Sequence, residues 1–285
     1  MEIEELAYLG INKLKMRFEN KINCNEYYLS YSGGNDSELL RWFIKEYLKV
    51  NIPVVAVNTY REHCEIRRRM YRHSDQVLYP MYKMEEIKDK YGIPCFTKMQ
   101  DEIIRRYQNG SRSQYTMARI NRTNTTKFGL NNTAKRLLLT GRLHKVSGEC
   151  CRFTKKEPLK LYEKETGLKP IIATRGSEST GRKNAYRSCL TSKGKFTPMY
   201  DFANDIMDAM YKVYHLEKPK IYDILDRTGC IGCPYGYHGK KNTLIELQLV
   251  TPAQREYAIS SFKESYQVLG IEYNMLDLNM YKSLV

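Results

Sequence analysis

The run Tyr27-Tyr28-Leu29-Ser30-Tyr31-Ser32-Gly33-Gly34-Asn35-Asp36-Ser37 decides how this chain is read. Its first five residues are rich in β-formers, two glycines break the run, and over 37–50 Leu39, Leu40, Phe43, Ile44 and Leu48 recur at helical spacing. Strand, glycine loop and helix in that order make a phosphate site: glycines let backbone N–H groups crowd inward, and the helix dipole adds positive potential. Ser32 and Ser37 offer hydroxyls to such a guest. Asp36 would repel it, so its expected part is to orient a metal or a neighbouring amide. The loop is not a Walker A loop, because the Lys is missing and the spacing differs. A plain glycine turn with Ser37 as helix cap is the alternative, and the flanking strand and helix favour the phosphate loop.

Upstream, Ile3, Leu6, Leu9, Ile11, Leu14 and Phe18 predict an amphipathic helix over 3–18. Downstream, 52–57 repeats the strand signal, 62–71 reads as helix, 77–79 as a short strand, and 84–91 as a helix ending at Gly92. This alternation predicts an α/β fold, a parallel sheet with flanking helices. The pattern changes near 97–142. There 101–107 is helical, but 109–132 is rich in Ser, Thr and Asn and studded with Arg112, Arg119, Arg122 and Lys127, as in a basic, partly irregular insertion. Sheet-like sequence returns at 170–174, and helices are expected over 200–215 and 252–269. No internal repeat stands out. The expected division is a nucleotide-binding α/β domain over 1–215 carrying the insertion, with a mainly helical, cysteine-bearing portion over 216–285 packed on it.

The chain has 285 residues, 42% hydrophobic and 28% charged, an ordinary globular balance that excludes disorder, collagen and a coiled-coil rod. Its longest apolar stretch, Pro53-Val54-Val55-Ala56-Val57, falls far short of the roughly 20 residues of a spanning helix, so no membrane role is expected. Met1-Glu2-Ile3-Glu4-Glu5 is acidic where a secretory signal is basic, which points to the cytoplasm. The formal charge of +15 favours a polyanionic partner, with a solvated basic face as the plainer account.

Eight cysteines in a chain of this size, without an export signal, read as reduced thiols or metal ligands. Cys150 and Cys151 are adjacent, and Cys230-Ile231-Gly232-Cys233 supplies a second pair, four thiols suited to zinc or an iron-sulfur cluster. Adjacent residues do not readily share one tetrahedral zinc, whereas a cubane gives each thiolate its own iron, so a 4Fe-4S cluster is favoured. Cys24, Cys64, Cys95 and Cys189 have no paired spacing and read as packing thiols.

The loop Ser32-Gly33-Gly34-Asn35-Asp36-Ser37 resembles the SGGxDS loop of the N-type ATP pyrophosphatases, which include the phosphoadenosine phosphosulfate reductase family. The resemblance implies an adenine nucleotide alpha-hydrolase-like, Rossmann-like fold whose loop grips nucleotide phosphates. Val57-Asn58-Thr59 with Glu62-His63 resembles the family's second-strand segment, with Asn58 where an acidic residue is usual; it makes His63 a nucleotide-contact candidate, although a lone histidine is more often a packing one. Arg175-Gly176-Ser177-Glu178-Ser179 resembles the family's anion-closing segment, which brings in Arg175 and Glu178. A guanidinium fork suits phosphate or sulfate, and a solvated basic loop is the alternative there. The segment from Cys150-Cys151 to Pro158-Leu159, with Gly229-Cys230 to Cys233-Pro234, resembles the cluster ligands of the adenylylsulfate reductases, which implies a 4Fe-4S cluster on Cys150, Cys151, Cys230 and Cys233. Asp36 and Arg175 become the candidate catalytic residues. ATP or adenosine phosphosulfate becomes the expected nucleotide, with Mg²⁺ arriving on it.

Sulfonucleotide reductases attack sulfate with a thiolate from a C-terminal Glu-Cys-Gly-Leu-His segment. No cysteine follows Cys233 in this sequence, and Cys189 is the one substitute nucleophile. Relatives with the loop and the cluster but without that thiol insert sulfur into nucleic acids: ATP adenylylates an acceptor oxygen, and a sulfur species then displaces AMP. The charge, the arginines at 67–69, 105–106 and 112–136, and the 24 tyrosines suit such an acceptor. The expectation is therefore an iron-sulfur ATP pyrophosphatase-like enzyme acting on a nucleic acid or other polyanion with a sulfur or electron donor protein. A sulfonucleotide reductase and a non-enzymatic nucleotide-binding subunit of a larger complex are the alternatives.

Overall fold

The computed structural model describes residues 2–121, 129–178, 180–237 and 242–273. The chain forms two compact units. The first comprises Met1–Asn58, Cys64–Tyr79 and Pro158–Asp223, the second Thr59–His63, Pro80–Glu157 and Ile224–Val285. The basic stretch near 97–142 thus groups with the 224–285 region, while 158–215 belongs with the glycine loop.

The first unit is built on four strands, β1 (Tyr27–Tyr31), β2 (Val54–Val57), β3 (Gln76–Leu78) and β4 (Lys169–Ile172), in the order β3-β2-β1-β4. All three pairings are parallel, with Leu29 of β1 opposite Val54 on one side and Ile171 on the other. The expected parallel α/β sheet is present. Every residue of β2 is buried, as a parallel strand covered on both faces requires. The N-terminal helix Ile3–Lys21 packs on the helix Asn204–Val213. Phe18 from it joins Phe43 and Phe196, with ring centroids 5.5 and 5.2 Å away. Because β2 and β3 extend the sheet to one side of β1 and β4 lies on the other, the strand order reverses at β1. Ligands of open α/β sheets bind beyond the carboxyl ends of the strands at such a reversal.

The second unit is helical among its described residues, and its two apolar clusters divide the work. Ile87, Phe153, Ile231, Leu247, Phe262 and Tyr266 belong to one, and Phe96, Ile103, Ile104, Ile120, Leu130 and Val146 to the other. Between Tyr91 and Lys98 the chain is fixed by the Asp101 carboxylate, which accepts the N–H groups of Cys95 and Phe96 at 2.8 and 2.9 Å. The expected helix over 252–269 is present as Pro252–Leu269, capped by Thr251, whose hydroxyl accepts the Gln254 N–H.

One expectation needs correction. The helix after the glycine loop starts at Asn35 and passes at Phe43 into a π turn ending at Tyr47, so Asn35, Asp36 and Ser37 form its first turn rather than the loop before it. The 109–132 stretch, expected to be basic and partly irregular, contains the helix Gln114–Asn121. Ser113 starts it by accepting the Thr116 N–H, and Thr116 and Ile120 are buried, which the high Ser/Thr content conceals. Arg122 and Lys127 lie outside the described residues. No described helix is long and apolar enough to cross a membrane.

Candidate nucleotide-binding loop and cysteine cluster

The glycine loop leaves the carboxyl end of β1, at the reversal of strand order. Gly33 has φ +73°, and a Cβ there would lie 2.8 Å from the Ile66 carbonyl oxygen and 2.9 Å from Met70 Cγ. Only glycine fits such a turn against a neighbouring helix. Gly34 caps the helix in an extended conformation, and the first intrahelical bond runs from Glu38 N to Gly34 O at 3.0 Å. The helix start therefore presents its first-turn amides at the loop. The two serines brace the turn: Ser37 Oγ donates to Gly34 O at 2.9 Å, accepts from Ser32 N at 3.3 Å, and lies 3.0 Å from Ser32 Oγ.

Distant residues hold this loop from outside. Arg69 donates to Asn35 Oδ1 at 3.1 Å and to Gly33 O at 3.4 Å, and also to the Glu217 carbonyl. Tyr211 donates its hydroxyl to Asn35 O at 2.7 Å. Arg175, three residues beyond β4, sets its Nε 3.0 Å from Asp36 Oδ2 and donates through Nη1 to Ser177 Oγ at 3.0 Å and to Asn204 Oδ1 at 2.8 Å. The sequence expectation thus brings Ser32, Gly33, Gly34, Asn35, Asp36, Ser37 and Arg175 into one cluster. Asp36 orients Arg175, the charge-assisted bond fixing a guanidinium at the mouth of an amide-lined loop.

Behind the loop sits a polar network that sequence reasoning missed. Glu38 is buried, yet it accepts from Arg41 Nε at 3.0 Å and Nη2 at 2.8 Å, from His73 Nδ1 at 2.9 Å and from the Tyr31 hydroxyl. Burial pushes its carboxyl up, but the bonds from Arg41, Tyr31 and His73 outweigh this and hold it below the ordinary carboxylate value. Arg69, read from the sequence as one of a basic triplet suited to nucleic acid, instead braces the loop and stands 3.7 Å from Glu38.

Asn58 is buried in the first unit, its side-chain amide donating to Tyr71 Oη at 2.8 Å. His63 belongs to the second unit, where it is buried and donates from Nε2 to Leu249 O at 3.0 Å. The backbone of Glu178 is part of the 3-10 turn Gly176–Glu178; its side chain and Ser179 lie outside the described residues. Cys189 is half-buried, its carbonyl accepting from Thr197 N at 2.7 Å.

In the second unit, Cys150 and Cys151 occupy the short helix Glu149–Cys151, and Cys230 and Cys233 lie on one turn closed by Cys233 N donating to Cys230 O at 3.0 Å. Further bonds anchor that turn, the Tyr266 hydroxyl donating to Gly232 O among them. Ile231 N donates to Arg61 O at 2.7 Å, Gly232 N to Glu246 Oε2 at 3.2 Å, and Thr243 Oγ1 to Cys233 O at 2.7 Å. A hydrogen bond shared with Cys151 pushes the Cys150 thiol up, helped by burial and by the charges of Cys151, Cys233 and Cys230, while the same bond and the nearby Lys155, Lys98 and Lys156 pull Cys151 down. Burial, with Cys230 and Cys151, raises Cys233. Half-buried Lys155 is pushed up, chiefly by Cys230 and also by Glu62 and Cys151, and its Nζ stands 3.7 Å from Glu62 Oε1. Glu62 itself is pinned by Thr59, through the hydroxyl at 2.7 Å and the N–H at 3.0 Å. Among the described residues no three His, Cys, Asp or Glu side chains stand in position to hold a single metal ion. By donor chemistry, the thiols of Cys150, Cys151, Cys230 and Cys233 with the Lys155 ammonium are groups that suit an anionic, thiolate-bound cluster.

No protein-family model matches the chain, and no curated protein matches its sequence. Among solved structures it is similar to phosphoadenylyl-sulfate (PAPS) reductase from Candida auris in a phosphate complex, at 12% identity and a TM-score of 0.37, over 78% of this chain and 90% of that one. It is similar to NH3-dependent NAD synthetase from Campylobacter jejuni in complex with nitrate, at 13% identity and a TM-score of 0.37, over 94% and 96%. NAD+ synthetase from Burkholderia pseudomallei is similar at 11% identity and a TM-score of 0.35, over 95% and 91%.

Proposed function

We propose that this chain is an ATP pyrophosphatase-like enzyme that binds an adenine nucleotide on its glycine loop and activates a polyanionic acceptor, a nucleic acid, for sulfur transfer. The observation that carries the reading is the Arg175 guanidinium, held on Asp36 and Asn204 beside the amide-lined turn at Gly33 and Gly34, where the strand order reverses. A cation and a set of inward amides at that place match the charge of a triphosphate. In the reaction an acceptor oxygen attacks the α-phosphorus of ATP, and the bond to pyrophosphate breaks. A sulfide-level nucleophile then displaces AMP, so no net oxidation or reduction is required. Arg175 and the first-turn amides stabilise the charge that builds on the phosphoryl oxygens, and Mg²⁺ enters with the nucleotide.

Cys150, Cys151, Cys230 and Cys233 are the residues that would hold a 4Fe-4S cluster, which when bound supplies one-electron and sulfide chemistry. Lys155 would offset its negative charge. Adenosine phosphosulfate reduction is the second reading, with Cys189 as its candidate nucleophile.

The test is a pair of assays on anaerobically purified protein. Pyrophosphate released from ATP in the presence of a nucleic acid and sulfide supports the proposal. Sulfite released from adenosine phosphosulfate, lost in Cys189→Ser, replaces it with a reductase, and neither product leaves a nucleotide-binding subunit.

A further inference from the structure

Residues 98–145 contain eleven Lys and Arg against only Asp101 and Glu102, so nine of the chain's fifteen net positive charges fall in this one stretch of the second unit. Asp101 is fully buried, and Glu102 is shared between Arg105 and Arg106 at 2.9 Å from each. The surface formed by the helices Lys98–Gln108 and Gln114–Asn121 adds flat groups to the charge. The Arg112 guanidinium lies 3.6 Å from the Tyr107 ring centroid, and those of Arg119 and Arg106 lie 4.3 and 5.3 Å from that of Tyr115. Tyr115 is 51% exposed and Met99 43%. An ordinary solvated basic face has no need of tyrosines under its arginines. Here each ring fixes a guanidinium plane; Arg112 Nη1 also donates to the Tyr107 and Ser111 carbonyls at 2.9 and 3.0 Å and Arg106 Nε to Glu102 at 2.9 Å, so what the surface offers is positive charge for a phosphate backbone and stacked planes for bases.

We propose that this Arg–Tyr surface is a docking site for a single-stranded polynucleotide, its arginines taking backbone phosphates and its stacked planes taking unpaired bases. A duplex offers the phosphates but keeps its bases stacked on each other, so it satisfies only the charge. An anionic membrane likewise meets only the charge. The inference rests on reading the acceptor in the proposed function as a nucleic acid, and it narrows that acceptor to unpaired strands or loops.

The experiment is fluorescence anisotropy with the full chain over a salt series, using labelled oligo(U) and oligo(dT) of about 20 nucleotides. A duplex of equal length and vesicles containing anionic phospholipid serve as competitors. Both single strands should bind, or RNA alone if a 2′-hydroxyl is read, and neither competitor should displace them efficiently. Changing Arg106 and Arg112 together to Gln should flatten the plot of log affinity against log salt by about 1.4, two contacts at about 0.7 each. Tyr115→Leu should weaken binding about tenfold with the slope unchanged. Arg112→Lys keeps the charge and should keep the slope while losing affinity. Duplex or vesicles competing as well as single strands, or folded variants that bind like the parent, would overturn the proposal. The binding assay uses neither ATP nor cluster, so failure of pyrophosphate release with binding intact counts against the reaction alone.

Discussion

Arg175 Nε stands 3.0 Å from Asp36 Oδ2, joining the segment after β4 to the first helical turn after β1. Two residues 139 positions apart thus share one charge-assisted bond at the place where a phosphate is expected. Arg175→Ala should weaken ATP binding at least tenfold by titration calorimetry, about 1.4 kcal/mol. Asp36→Asn should cost less, because Ser177 and Asn204 still hold the guanidinium. The double variant should fall short of the sum of the two by about 1 kcal/mol, the signature of side chains acting together. Strict additivity would separate Asp36 from the positioning of Arg175.

Gly33→Ala and Gly167→Ala form a matched pair. Both positions have positive φ, +73° and +74°, but an added Cβ meets the Ile66 carbonyl at 2.8 Å in the first and nothing within 4 Å in the second. Gly167→Ala should cost about 1 kcal/mol of stability from backbone strain alone. Gly33→Ala should cost a further 1 kcal/mol or so, because the obstacle is backbone, and should also lose ATP binding as the amides turn away. Equal denaturation midpoints for the two would refute the close approach.

Glu38→Gln should destabilise the fold by about 3 kcal/mol, because it leaves Arg41 and His73 without their shared anion in a buried place. The acid sensitivity follows in sign. The native carboxyl lies below its unfolded value, so its contribution is present above the ordinary carboxylate range and lost as pH falls through the lower native one. Denaturant titrations at pH 7 and pH 3 should give a smaller gap between variant and parent at the lower pH.

His144 makes the second pH prediction. Burial pushes it down to about 4, with Ser265 Oγ 2.9 Å from its Nε2. The native state therefore resists the proton that the unfolded chain takes up near pH 6.5, so its stabilising effect is complete above that value and lost as pH falls toward 4. The full span is on the order of 2–3 kcal/mol, since a tenfold change in proton affinity is worth about 1.4 kcal/mol and the ring is partly exposed. His144→Gln should remove this limb from the stability profile, and an unchanged slope between pH 6.5 and 4 would exclude a neutral native imidazole.

Anaerobic protein should carry about four iron and four sulfide per chain with broad absorbance near 400 nm, as a thiolate-bound cubane does. Cys230→Ser should lose the absorbance while ATP binding persists, because the glycine loop belongs to the other unit. One zinc and no iron in the parent would remove the cluster from the proposal.

Local periodicity by itself determined much of this molecule. The strand Tyr27–Tyr31, the helix Pro252–Leu269 and the phosphate-loop character of 32–37 are all written in neighbouring residues, because a period of two or 3.6 and a pair of glycines need no distant partner. Only the tertiary structure decided what surrounds the loop. Arg69 reaches Asn35 from 34 positions away and Tyr211 from 176, and nothing in a triplet of arginines says which one turns inward to a carbonyl and a buried Glu38. The helix Gln114–Asn121 was hidden for a related reason: its Ser and Thr hydroxyls bond locally and its single buried isoleucine leaves almost no apolar period. The sequence thus marked the loop where a phosphate is expected and showed which cysteines come in pairs. The fold decided which charges are spent on holding that place and which, such as Arg106 and Arg112, stay exposed over tyrosine rings, because burial and hydrogen bonding assign each polar side chain its partner only after the chain has closed on itself.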